Sequence, residues 1–347
     1  METESIIKEA LLYERVGEKV RCKLCERRCF IAPEKVGFCK TRKNINGRLY
    51  TVIYGNISAV ESRPIEIKPF FHFWPGSTAL TYSSWSCNLY CLWCQNWHLS
   101  KKEPDLENFM YIKPEDMIEK ALSYKDNGLC VSFNEPTLLH EYNVDCFRLA
   151  KKEGLYNSYV SNGYMTLDAL YQLKDSGLDA INIDIKGDDK VYREYCKGIN
   201  SKIVWGNIKK AKELNMHVEV VNLVVRNVND DEKSLKWVIK NHLKFAGEET
   251  PLHFTRYFPA FKFEEPPTDI GVLEKAYKMA KNAGVLYPYL GNVHGSDYEN
   301  TYCPKCNELL IQRLGYRVVV YKITEKKECP RCKEKIPIVG RYINMEK

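Results

Sequence analysis

Long apolar runs are missing from this chain. No stretch approaches the roughly 20 residues that a membrane-spanning helix needs. The opening, METESIIKEALLYERV, has neither the basic start nor the apolar core of a secretory signal. It reads as a short amphipathic helix, and a cytoplasmic protein without membrane association is expected. Internal repeats, low-complexity tracts and long linkers are also missing, which excludes a solenoid or a disordered scaffold. Charge of one sign is never concentrated. The net charge of +7 is spread through mixed Lys/Glu runs, so it argues for solubility and only mildly for an anionic partner. Without a basic stripe or an RNA-binding motif, nucleic acid is not the favoured partner. No segment suggests a cobalamin-binding domain.

What the chain has in excess is cysteine. Apolar residues make up 44% of its 347 residues, ample for a packed core, yet there are 14 cysteines. A reducing compartment disfavours a disulfide framework, so these thiols need another use. Their distribution supplies one. Cys22, Cys25, Cys29 and Cys39 form a first group, Cys87, Cys91 and Cys94 a second, and Cys303, Cys306, Cys329 and Cys332 a third. Such spacing is that of metal ligands. Cys130 and Cys146 read as core residues. Cys196, in EYCKG, is an ordinary thiol or a radical-relay thiol.

Between the second and third groups, short apolar runs alternate with helical periodicity. Strands are expected over 79–86, 128–135, 156–162, 180–186, 217–225 and 251–258, each rich in Val, Ile, Tyr or Phe. Helices are expected over 114–125, 141–153, 166–176, 204–215 and 231–244, with Gly177 ending the third. Six strand–helix repeats predict an α/β fold, a partial (β/α)6 TIM-like barrel. Three parts follow: a Cys-rich subdomain over 1–75, the barrel over 76–295, and a zinc-ribbon or rubredoxin-like subdomain over 296–347. Ligands then belong at the C-terminal ends of the barrel strands.

The stretch CNLYCLWCQN directly follows the first of these strands. A structural zinc site takes four ligands. Three thiols around a four-iron cluster leave one iron open to a substrate or cofactor. The alternative is a zinc knuckle completed by a distant residue such as His98. The Cys-x3-Cys-x2-Cys spacing resembles the signature of the radical S-adenosylmethionine (SAM) enzymes. That resemblance implies a [4Fe-4S] cluster on Cys87, Cys91 and Cys94, whose open iron chelates SAM. An electron from an external reductase or other donor then cleaves SAM to a 5′-deoxyadenosyl radical. It also implies that Trp93 sits beside the adenine.

Other positions agree with this order. SFNEP lies where the superfamily usually carries Gly-Gly-Glu-Pro, which implies that Glu135, with backbone near Asn134, holds the SAM ammonium. Asn134 in place of Gly departs from that pattern, and Glu135 as a helix N-cap is the plainer reading. VSNG resembles a ribose-contacting turn through Ser161 and Asn162, though it is also a good generic turn. In AINIDIKG, Asn182, Asp184 and Lys186 share one strand face. The activases of glycyl-radical enzymes have a similar Asp-x-Lys contacting SAM, so Asp184 and Lys186 are either cofactor contacts or a private ion pair. From about residue 20 to 340, the ordered motifs CKLCERRC, PIEIKPFFHFWPGS, NEPTLLHEY, HFTRYFP, LGN and CPKC resemble the AmmeMemoRadiSam-associated radical SAM proteins, related to pyruvate formate-lyase activating enzyme. The sixth strand carries Arg256, Tyr257 and Phe258 where the activases end in a SAM-binding His, and His253 lies earlier.

CPKC and CPRC, separated by residues 307–328, have paired-knuckle spacing for zinc or a single iron, zinc being the commoner use. The N-terminal group fits zinc or an auxiliary iron–sulfur cluster. Three functions stay open: a radical SAM enzyme acting on a protein or small molecule, one that modifies RNA, and a zinc-dependent binding module without activity.

Overall fold

The computed structural model describes residues 6–198, 200–293 and 295–344. Two compact units emerge. The first comprises residues 1–63, 79–181 and 193–199, and the second residues 64–78, 182–192 and 200–347.

The first unit begins with strands where an amphipathic helix was expected. β1 (Lys8–Glu9) and β2 (Tyr13–Val16) occupy that segment, while its first five residues lie outside the described ones. The reason is pairing. β2 lies antiparallel to β3 (Lys19–Cys22), which also pairs with β4 (Phe30–Ile31). β1 pairs with β6 (Arg48–Thr51), which in turn pairs with β5 (Arg42–Ile45). Neighbouring strands outcompete a local helical pattern that is only a few turns long.

The large sheet follows. It begins with β7 (Ala59–Pro64) and β8 (Thr78–Ser83), continues through β9 (Gly128–Val131), β10 (Tyr156–Ser161), β11 (Ala180–Ile185) and β12 (His217–Val224), and ends with β13 (Leu252–Arg256) and β14 (Pro288–Gly291). These eight strands lie in sequential order. The six expected strands are all present, each shorter than expected. β7 and β14 were not foreseen, because ESRP and PYLG carry too few alternating apolar residues to stand out. β8, β9 and β10 pair in parallel, as do β12, β13 and β14. At the start of β9 a Cβ on Gly128 would meet the Tyr156 ring at 2.1 Å, so only glycine fits that register.

Helices connect the strands. α1 (Trp97–Ser100) is a single turn; α2 (Pro114–Ser123), α3 (His140–Lys152), α4 (Leu167–Asp175), α6 (Lys202–Glu213) and α7 (Glu232–Phe245) match the expected segments, and α5 (Asp189–Cys196) and α8 (Ile270–Ala283) were not foreseen. Caps explain their starts. Thr166 accepts from the Ala169 amide, and Asp231 from the amides of Lys233 and Ser234. None of the described helices is long and apolar enough to cross a membrane.

The second unit is built around a buried carboxylate. Glu219 on β12 accepts from His217 Nε2 at 2.9 Å, from His253 Nε2 on β13 at 2.7 Å and from the His72 amide at 2.8 Å. His72 Nε2 meets the Tyr289 hydroxyl of β14 at 2.7 Å. Arg313 on β16 (Leu309–Leu314) donates to the Phe71 carbonyl at 2.7 Å and stacks over the Phe71 ring. The motif PIEIKPFFHFWPGS is thus a plug across strands of this unit, and His253 is engaged with Glu219.

The C-terminal part pairs β16 with β15 (Thr301–Tyr302) and β17 (Arg317–Tyr321). Its small core holds Leu310, Ile311, Ile323, Ile336 and Ile338 together with Cys303 and Cys329. The sulfurs of Cys303, Cys306, Cys329 and Cys332 all lie within 4.8 Å of one another, with Cys303–Cys332 at 3.4 Å and Cys306–Cys329 at 3.6 Å. Zn–S bonds of about 2.3 Å place tetrahedral thiolates about 3.8 Å apart. The quartet is therefore the size of a single ion.

Two tests follow from this unit. Burial alone pushes Glu219 up, but the hydrogen bonds from His217 and His253 hold it well below the usual carboxylate range. Its ionised form thus contributes stability that is present above about pH 4.5, the unfolded value, and is lost as pH falls. Glu219→Gln is expected to cost about 3–5 kcal/mol at neutral pH by breaking a buried charged network. The gap to the wild type, measured by denaturant unfolding, should narrow below pH 4.5. A constant gap would mean that charge is irrelevant there. Separately, Cys329→Ala should lower the unfolding midpoint and the bound metal together, because a closed thiolate site contributes folding free energy. Unchanged metal content in that variant would exclude the quartet as a site.

Candidate active site

Parallel pairing puts the C-terminal ends of β8, β9 and β10 on one edge of the first unit. Cys87 follows the end of β8 by four residues, Glu135 follows the end of β9 by four, and Ser161 ends β10. Both approaches pass through left-handed backbone at non-glycine residues, Ser86 with φ +70° and Phe133 with φ +69°. Such conformations cost about 1–3 kcal/mol each and persist where surrounding structure imposes them. Here the imposing contacts are visible. Asn134 Nδ2 donates to the Ser86 carbonyl at 2.9 Å, and Asn96 Nδ2 to the Phe133 carbonyl at 2.7 Å.

Glu135 is 2% exposed, and its carboxylate is densely used. Oε1 accepts from the Thr137 hydroxyl at 2.5 Å, the Thr137 amide at 3.1 Å and the Ser161 hydroxyl at 2.8 Å. Oε2 accepts from the Asn162 amide at 2.9 Å. Glu135 therefore caps the short 3-10 helix Pro136–Leu139 and also ties β9 to the turn after β10. Burial raises its pKa, against those hydrogen bonds, which lower it.

Asn162 carries the connection onward. Its Oδ1 accepts from the Tyr164 amide at 3.0 Å, with Gly163 at φ +67° completing the turn. Its Nδ2 donates to Asn88 Oδ1 at 2.7 Å and reaches Cys87 Sγ at 3.7 Å. Cys87, Glu135, Ser161 and Asn162 are thus brought together by side-chain bonds. Asn134 is linked to the same loop through Ser86.

The cysteine loop itself is pinned along its length. The Tyr90 amide donates to the Cys196 carbonyl at 2.7 Å and the Leu92 amide to the Tyr195 carbonyl at 3.0 Å. Trp93, 3% exposed, packs on Tyr195 with ring centroids 5.7 Å apart. Cys94 Sγ lies 3.1 Å from the Ser100 hydroxyl. Cys196 is fully buried.

Three thiols on one loop are a donor set that leaves one iron of a four-iron group open. Among the described residues, the sulfurs of Cys87, Cys91 and Cys94 do not gather within 4.8 Å as the C-terminal quartet does, and His98 does not join them. Burial pushes the Cys87 thiol up to about 12, and Lys101 opposes that rise. Bound metal would hold such a thiol deprotonated outright. The three residues fit a [4Fe-4S] group.

Asp184 and Lys186 belong to the second unit. Lys186 Nζ donates to Asp184 Oδ2 at 2.8 Å, with the side chains 12% and 31% exposed respectively. Asn182, on the same strand face, donates to the Pro69 carbonyl at 2.6 Å.

The sequence did not single out Asn88, Arg27 or the pair Arg42–Glu141. Arg27 donates from Nε to the Asn88 carbonyl and from Nη2 to the Lys197 carbonyl. Arg42 Nη1 donates to Glu141 Oε1 at 2.7 Å, both side chains being 1% exposed. Burial alone pushes Glu141 up, but Arg42 holds it at about 2. The available signal was the basic pair inside CKLCERRC.

Comparisons with known proteins bear on the family. The radical SAM superfamily model matches residues 84–238. An uncharacterised protein of Methanocaldococcus jannaschii is 40% identical over 336 residues, covering 96% of this chain and 100% of that protein. A protein of the same organism named as a candidate glycyl-radical enzyme activating enzyme is 26% identical over 225 residues, 62% of this chain and 80% of that one. A GTP 3',8-cyclase of Limosilactobacillus fermentum is 26% identical over 258 residues, 66% of this chain and 74% of that one. Among solved structures, Streptococcus suis SuiB bound to S-adenosylmethionine shares the fold at a TM-score of 0.50 and 13% identity, over 62% of this chain and 52% of that one. The matched span opens just before the three-cysteine loop, and the chain belongs to the radical SAM superfamily.

Proposed function

We propose that this protein cleaves SAM reductively and uses the resulting radical to abstract hydrogen from a protein or small-molecule substrate, in the manner of an activase. When bound, the iron–sulfur cluster supplies the single electron that the cleavage consumes, drawn from an external one-electron donor. Everything else falls to the chain. Cys87, Cys91 and Cys94 would hold the cluster and leave one iron without a protein ligand. Glu135 would present a buried carboxylate to the SAM ammonium through its remaining lone-pair capacity, kept in place by Thr137, Ser161 and Asn162. Ser161 and Asn162 would face the ribose, and Trp93 the adenine. Relatives are named both for glycyl-radical enzyme activation and for GTP cyclisation, one substrate class being a protein and the other a nucleotide. The observation that carries the reading is the bonded chain from Glu135 through Asn162 to Asn88 and Cys87. For the C-terminal quartet we favour zinc in a structural role.

The anaerobically purified protein should show a reduced-cluster EPR signal that changes on adding SAM. Replacing Cys87, Cys91 and Cys94 together by Ala should abolish that SAM-dependent change. A signal that still responds to SAM in the triple variant would sink the assignment.

Lys186 distinguishes a cofactor contact from a private pair. Should its ammonium meet SAM, Lys186→Met removes a charge-assisted hydrogen bond of about 1.5–3 kcal/mol, a loss of roughly ten- to a hundred-fold in SAM affinity. A destabilised variant with normal SAM affinity would make the residue a structural partner of Asp184 and not a cofactor contact.

A further inference from the structure

The surplus of positive charge is local. Residues 8–51 carry twelve Lys and Arg against five Glu and no Asp, a surplus of seven that equals the net charge of the whole chain. Interspersed acids conceal it in any short window, and the even spread expected from the mixed Lys/Glu runs does not hold for this segment.

Part of the segment meets the three-cysteine loop. A cavity of about 460 Å³ in the first unit is lined by Val36, Phe38 and Lys40 from that segment, and by Tyr90, Lys101 and Lys197. Val36, Phe38 and Lys40 flank Cys39, which with Cys22, Cys25 and Cys29 lines a small cavity of its own. Of the loop's three thiols Cys87 alone lines the larger cavity, and Glu135, Ser161 and Asn162 do not. Ser100 lines it too, with its hydroxyl 3.1 Å from Cys94 Sγ. The cavity thus reaches the cluster's ligands without passing the candidate SAM contacts. A substrate is expected beside SAM, so this position suits a partner of the cluster alone.

The surface there is apolar at its centre and cationic at its rim. Val36 is 40% and Phe38 39% exposed, and the Arg27 guanidinium lies 3.5 Å from the centroid of the Phe38 ring. Lys101 and Lys197 stand 5.0 and 4.7 Å from the centroid of the Tyr90 ring. Among the described residues neither ammonium forms an ion pair, and Lys101 Nζ donates to the Leu89 carbonyl at 3.1 Å. Lys40 has a carboxylate partner, Glu103 at 3.5 Å, in an exposed pair that contributes little. Cations left over in this way attract an arriving anion and speed its encounter. Small, steered and short-lived contacts are the usual form of electron-transfer complexes.

We propose that this face docks the electron donor of the protein, an acidic carrier protein with a low-potential one-electron centre. The inference rests on the SAM cleavage proposed above. In the docked complex the carrier's centre loses one electron and the cluster gains it from the Cys87 side. No bond forms or breaks in that step, and no proton moves.

The test uses anaerobically purified, cluster-loaded protein and an acidic flavodoxin reduced to its hydroquinone. Stopped-flow absorbance gives the second-order rate of cluster reduction at about 20 mM and about 300 mM salt, where charge attraction is respectively long-ranged and screened. The wild-type rate should fall roughly ten-fold between the two. Lys40→Glu/Lys197→Glu reverses two exposed rim charges. It should slow the low-salt rate by a similar factor and flatten the salt dependence. Photoreduced deazaflavin, a small donor that needs no docking surface, should reduce both proteins at equal rates. An unchanged flavodoxin rate in the double variant overturns the proposal. So does equal slowing with deazaflavin, which would place the effect of the lysines on the cluster itself. Calorimetric titration with oxidised flavodoxin reads docking even where no cluster forms. The two substitutions should weaken that binding, and absent or unaltered binding overturns the proposal. RNA held by the wild type and released by the double variant, with the flavodoxin rate unchanged, would make this a nucleic-acid surface instead. A cluster that flavodoxin reduces but SAM does not perturb fails the SAM chemistry and not the docking site.

Discussion

Glu135 is the residue on which the candidate site depends. A carboxylate buried to this degree is costly unless its lone pairs are met by donors, and here both oxygens are occupied from two directions. Thr137 supplies donors from the 3-10 helix that Glu135 itself caps, and Ser161 and Asn162 supply them from the turn after β10. The carboxylate thereby fixes the spacing between two neighbouring strand ends. Asn162 then passes that constraint to Cys87 and Asn88, which lie beyond the end of the third strand, β8. Remove the charge, and three loops at one sheet edge lose their common reference.

The cysteines show how one ligand type is made to fit different centres by spacing and surroundings. At the C-terminus two tight knuckles on a small apolar core hold four sulfurs at single-ion separation. After β8, three thiols lie on one loop pinned by backbone bonds from Tyr90 and Leu92. At the N-terminus four thiols stand around a cavity edged by buried N–H donors.

A second buried carboxylate organises the other unit. Glu219 gathers His217, His253 and the His72 amide at the starts of parallel strands. It is fully enclosed and fully hydrogen-bonded, as a buried charge must be. His253, which by sequence position invited comparison with a cofactor-binding histidine, is committed to this network instead.

The chain's own order of residues determined the alternation of strands and helices, the three cysteine groups, and the positions of Glu135, Ser161 and Asn162 within it. Those features are local: a two-residue or 3.6-residue apolar period, or a ligand spacing, is written in a short window. Tertiary structure decided what no window contains. The opening residues form strands because partners at Lys19–Cys22 and Arg48–Thr51 are available to them. Edge strands β7 and β14 arise from pairing and not from pattern. Asn88, Arg27 and Arg42 are ordinary polar residues in sequence, and their placement beside the N-terminal thiols comes from the fold, with contacts across as many as 170 positions. The separation of the sulfurs belongs to the same class, since spacing along a chain limits which thiols meet but leaves the distance between them to the fold.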